Sequence, residues 1–230
     1  MSTHFDELLR TEALRVYQRY LNEIVLAYGF CPWAERAISL HRVVERVVLS
    51  PDGEAAEKIV SLVAELATDP NVEVALLLLP KLELDRTAFD RFAQKVRQAL
   101  ETSEYRAVFA LAAFHPFAEP IRRTSESFIP FLRRTPDPTL QLVRYSLLER
   151  VREGTPQGTH FLDVHTLDLA SLTSLREEKS LREKISDHNL EQAEAVGIAR
   201  LEQIFADIRA DRDRSYRAIF EAQLKLGDHA

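Results

Sequence analysis

Apolar positions recur at helical spacing through the N-terminal stretch: Leu14, Tyr17, Leu21, Ile24, Val25 and Tyr28 share one face, and Gly29 stands where a left-handed residue ends such a helix. The segment FCPWAERAI then reads as a short helix with Pro32 at its first position. HRVVERVVLS (41–50) is dense in Val and predicts a strand. Ser50, Pro51 and Asp52 supply turn and cap residues for a helix carrying Ile59, Val60, Val63 and Leu66. NVEVALLLLP (71–80) is a continuous apolar run ended by Pro, which suits a buried strand. Asp85 can cap the next helix, whose stripe is Phe89, Phe92, Ala93, Val96 and Leu100, and YRAVFALAAF (105–114) is another buried strand. Strands alternating with helices across short connections predict an α/β fold with right-handed crossovers. The expected core is a mainly parallel sheet of three to four strands flanked by helices.

Residues 115–136 read as an Arg- and Pro-rich loop, after which Asp137 and Pro138 open a helix running to about Arg152. THFLDVH (159–165) suits a fourth strand. From about Asp168 the pattern is helical, with Leu181, Ile185, Leu201, Ile204, Phe205 and Ile208 at apolar positions and repeated charges on solvated faces. The expected organisation is an α/β domain over 1–165 and a C-terminal helical extension, 166–230, packed on it.

Composition narrows the classes. Hydrophobic residues form 46% and charged residues 29% of the 230-residue chain, so a sizeable core is available. A formal net charge of -6 argues against a nucleic-acid binder. One Cys excludes an internal disulfide and a Cys-based zinc cluster. MSTHFDELLRTEALR has no apolar leader, and no apolar run approaches the roughly 20 residues of a membrane span, so a cytoplasmic protein without membrane contact is expected.

Candidate chemistry begins at ALAAFHPFAEP. A strand of small and apolar residues ends at His115, and Pro116 prevents its ladder from continuing. Sites in α/β sheets form beyond the carboxyl ends of parallel strands, so His115 is a candidate acid/base; the plain alternative is a ring satisfied by a loop carbonyl. Between His115 and Arg152 seven Arg stand against four acids, a local excess of positive charge in an acidic chain. Arg144 falls beside the stripe Leu140, Val143, Leu147 on the expected helix and so needs a ligand or a partner. Arg133 and Arg134 lead into the start of that helix, where anions are favoured. Cys31, just before Pro32, is placed for a helix dipole to lower its thiol pKa; the alternative is a small buried hydrophobe. His160, Asp163 and His165 match no recognised metal spacing, and Asp187-His188-Asn189 reads as solvated helix. No phosphate loop or dinucleotide fingerprint is present, so no cofactor and no metal is indicated.

Taken in order, GFCPWA, FHP and RRTPDPTLQLVR resemble the bacterial family called domain of unknown function 1415, across about residues 10–152. The resemblance implies site positions rather than a reaction: Cys31, Pro32, Trp33, His115, Pro116, Arg134, Pro136, Pro138 and Arg144. CPWAER is also locally similar to the C-P-F-A-x-R element of Cys-type glutathione transferases, although here an amphipathic helix precedes it. Three readings follow. The favoured one is an enzyme for a small carboxylate or phosphate, with Cys31 and His115 catalytic and Trp33, Arg134 and Arg144 binding substrate. The second is a thiol-redox or glutathione-linked protein using Cys31 alone. The third is a non-catalytic ligand-binding or interaction module, whose C-terminal helices offer a homo-oligomer surface.

Overall fold

Four short, predominantly apolar segments pair into one sheet in the computed structural model, which describes residues 3–31, 33–50, 52–118, 124–153 and 181–227. They are β1 (Val43–Val47), β2 (Val74–Leu78), β3 (Phe109–Phe114) and β4 (Thr139–Arg144), in the order β1-β2-β4-β3. β1 and β2 are parallel, while β4 runs antiparallel to both β2 and β3. The sheet is therefore mixed and mostly antiparallel, which corrects the expectation of a mainly parallel one. The strand–helix alternation still holds in one respect: β1, β2 and β3 all point the same way. What the pattern did not disclose is that a fourth strand, later in the chain, is inserted between β2 and β3.

Helices cover both faces. α3 (Asp52–Ala67) and α4 (Arg86–Glu101) pack Ile59, Val63, Phe89 and Val96 against Ala75, Leu77 and Leu142. The Asp85 side chain accepts from the Ala88 amide at 2.7 Å and caps α4, as its position before the apolar stripe predicts. On the other face lie α1 (Thr3–Tyr20), a π-helical turn over Leu21–Leu26, α5 (Ser125–Leu132), α7 (Leu181–Val196) and α8 (Ile198–Gly227). Tyr17, Ile24, Phe131, Leu201 and Phe205 close over Leu76 and Leu78 there. Gly29 ends the π turn's exit with φ 63°, the left-handed conformation a glycine adopts without strain. α2 (Ala34–Ser39) follows it.

Two further expectations are corrected. Residues 137–152 are not one helix: they form β4, followed by α6 (Tyr145–Glu153). Leu140 and Leu142 fill strand positions between two apolar partners, and that pairing overrides the helix-start signal of Asp137 and Pro138. The expected loop 115–136 contains α5, capped reciprocally by Thr124 and Ser127. Pro32, Pro51, Arg122, Arg123, the expected strand 159–165 with His160, Asp163 and His165, and the expected boundary at 165/166 lie outside the described residues. Among the described residues no helix is long and apolar enough to cross a membrane.

Candidate functional site

His115 does stand at the carboxyl end of β3, 1% exposed. Its Nδ1 accepts the Phe117 amide at 3.3 Å, which assigns the proton to Nε2, donated to the Leu84 carbonyl at 3.0 Å. The ring packs on Phe89 and Phe117. Burial pushes its pKa below the ordinary value, with the Leu84 carbonyl opposing that shift. Both ring nitrogens are thus engaged by backbone, and the side chain staples the β3 exit to the loop before α4.

Cys31 occupies the entry to α2. The Trp33 and Ala34 amides both hydrogen-bond its sulfur and favour the thiolate, but burial outweighs them and pushes the thiol pKa up. The expected lowering by the helix start is therefore reversed. Cys31 interacts electrostatically with Tyr17 and Tyr20, which close over the Leu76 and Leu78 face. His115 packs on Phe89, which belongs to the Ala75 and Leu77 face. The aromatic neighbours of the two residues belong to opposite faces of the sheet, and both ring nitrogens of His115 are taken by backbone, so among the described residues no contact pairs Cys31 with His115 as nucleophile and base. Trp33 stays beside Cys31 as the residue preceding α2.

The two candidate arginines occupy opposite edges. Arg134 precedes β4, donates from Nε to the Ala118 carbonyl at 2.6 Å, and lays its guanidinium 4.6 Å over the Phe131 ring. Arg144 ends β4. Its Nε donates to the Val72 carbonyl at 2.8 Å, and its Nη2 donates to those of Leu66 at 3.2 Å and Asp69 at 2.8 Å, while the group stacks 4.7 Å from Phe109. The inward charge is thus satisfied by the carbonyls around the end of α3. The whole of β4 separates the two arginines, about 20 Å at the strand rise, so they do not grip one small ligand.

A different group converges at the carboxyl edge, where β2 ends and α8 crosses. A cleft of about 500 Å³ is lined there by Pro80, Lys81 and Glu83 from the β2 exit. Its other wall is Arg212, Asp213, Tyr216, Arg217 and Phe220 of α8. Beneath it lies Asp137, 3% exposed, whose Oδ1 accepts from Arg212 and whose Oδ2 accepts from the Tyr216 hydroxyl at 2.6 Å. Burial pushes the Asp137 carboxyl up, and the Arg212 charge and the Tyr216 hydroxyl pull it back. The Thr135 and Thr139 hydroxyls both donate to the Asp137 carbonyl, fixing that turn. Lys81 pairs with Asp6 at 2.8 Å and sits 5.3 Å over Phe5, so α1 also helps to shape the rim.

None of the α8 residues that line the cleft stands out in the sequence, where the charges of that segment read as solvated. Only Lys81, just past a strand-ending Pro80, carried a usable signal, because that edge is where α/β sheets bind ligands. Among the described residues no group of three or more His, Cys, Asp or Glu could hold a metal ion.

Residues 12–178 match the family model described as protein of unknown function (DUF1415). Neither a curated protein nor a solved structure matches the chain.

Proposed function

Since the chain belongs to the DUF1415 family, whose description names no activity, its function has to come from its own geometry, and we propose that it binds a small anionic molecule in the cleft between the β2 exit and α8. The observation that carries this reading is the convergence of Lys81, Arg212 and Arg217 on one concave site at the sheet's carboxyl edge. A concave site with a few converging polar groups beside an apolar wall is the usual form of a small-molecule site. Phe220 and Pro80 give that wall here. Arg212 is held in place from behind by Asp137, so its orientation is set before a ligand arrives.

Cys31 and His115 have no part in this reading, because the thiol is held up by burial and both imidazole nitrogens are taken by backbone. It keeps the anionic ligand of the favoured sequence reading and moves it to other residues. Titration calorimetry with inorganic phosphate, malonate and 4-methylpentanoate tests it. At least one of these anions is expected to bind, with affinity reduced about tenfold in Arg217→Ala, equivalent to roughly 1.4 kcal/mol. Absence of binding by all three, or binding that Arg217→Ala leaves intact, overturns it.

A further inference from the structure

The charges lining the cleft are not of one sign. Of its cations, Lys81 is paired with Asp6, and Arg212 with Asp137 and Asp213. Two lining groups, both exposed at the mouth of the cleft, have no hydrogen bond, ion pair or ring contact among the described residues: the carboxylate of Glu83 and the guanidinium of Arg217. They face the same cleft from different walls, one from the β2 exit and one from α8, yet they do not pair with each other. A monovalent anion would satisfy Arg217 and bring its charge towards Glu83. A simple amine would do the reverse. A ligand carrying both charges satisfies both groups at once.

From this juxtaposition we infer that the ligand is a zwitterion, a small molecule with an ammonium and a carboxylate and an apolar remainder. This rests on the proposed binding site and sharpens its ligand class. The carboxylate goes to the Arg217 side, where a guanidinium fork suits its two oxygens. The ammonium goes to Glu83. Phe220, 46% exposed, and Pro80 receive the hydrocarbon. Discrimination comes from the charge left unmatched when either ligand group is missing.

Leucine is the probe, compared by calorimetry with 4-methylpentanoate, which lacks the amine, and 3-methylbutylamine, which lacks the carboxylate. Leucine is expected to bind at least tenfold more tightly than either. Glu83→Gln is expected to abolish that advantage over 4-methylpentanoate, weakening leucine while 4-methylpentanoate, relieved of the Glu83 charge, binds no more weakly than before, and Arg217→Gln to abolish the advantage over 3-methylbutylamine. Both side chains are without partners, so neither variant should shift the thermal midpoint. If 4-methylpentanoate binds as well as leucine, the zwitterion inference falls and the anion site stands. An amine that binds as well as leucine also overturns the inference. If 4-methylpentanoate, malonate and phosphate all fail to bind, the anion site falls, and the inference falls with it.

Discussion

The buried carboxylate of Asp137 takes two nitrogens of one guanidinium: Nε and Nη2 of Arg212 reach the same Oδ1 at 2.9 and 2.8 Å. This clamp joins the lead-in of β4 to α8, and Tyr216 completes it from the next turn of the helix. Asp137→Ala removes the buried partner of Arg212, which keeps only the exposed Asp213, and the acceptor of a buried hydroxyl. The expected loss is about 3 kcal/mol of folding stability, measured by urea unfolding. Asp137→Asn should lose less, because its amide oxygen can still accept from Arg212 or Tyr216.

Arg144 holds three carbonyls at the far edge of the sheet. Arg144→Ala is expected to cost about 1–2 kcal/mol, since two part-buried carbonyls and one exposed one lose a charged donor. Arg144→Lys should recover little, because a single ammonium does not reproduce the fork. Ligand affinity at the cleft, a whole strand away, should be unchanged in both. A large affinity loss in a folded Arg144→Lys would contradict this structural role.

Alkylation of Cys31 gives a direct reading of its thiol. Burial raises its pKa from 9.0, so iodoacetamide labelling of the folded protein should be slow at neutral pH and accelerate only above pH 9. His115→Ala should leave that profile where it is. A profile that moves with His115 would restore the paired-site reading.

His115 makes stability fall on mild acidification. Its folded pKa lies below the unfolded value of 6.5, so between the two the unfolded chain holds a proton that the folded one does not. Stability present above pH 6.5 is therefore lost as the pH drops from 6.5 through the folded value. Urea midpoints compared between pH 7.5 and 5 should show the slope in the native protein and a shallower one in His115→Gln.

Asp211 acts in a lower window. Its carboxylate accepts from Arg15 and Arg19 of α1, which hold its pKa at about 2 against 3.8 unfolded. The stabilisation is present above pH 3.8 and disappears as the pH falls through about 2. After solvent screening of this partly exposed pair it amounts to roughly 1 kcal/mol. Asp211→Asn should be less stable than the native protein at pH 6, and the difference should shrink from pH 3.8 downward and vanish only below about pH 2.

Those effects also mark what the sequence could and could not disclose. β1, β2 and β3, the Asp85 cap and the Gly29 stop are each written in local pattern, and each lies where the pattern puts it. β4 is ambiguous locally: Leu140 and Val143 fit a helical stripe, and Leu140 and Leu142 a strand face. Only the open edges of β2 and β3 decide between them, and those edges are not local information. α5 was hidden by Pro130 inside it and by a capping box that uses Ser127 in place of the usual Glu or Gln. His115 was placed correctly at a strand's end, but the carbonyl it binds comes from Leu84, about thirty residues back. The cleft was hardest to see, because its second wall is built from residues late in the chain whose charges look like ordinary solvated helix.

The late arrival of β4 sets a condition on how this chain is made. While residues 1–138 are emerging from the ribosome, β2 and β3 each carry an exposed edge of unpaired amides and carbonyls bordered by Leu and Ala. Such edges are templates for wrong pairing between chains. A nascent chain arrested before Thr139 should therefore be far more prone to associate than one released just past Arg144, where one short strand closes both edges together.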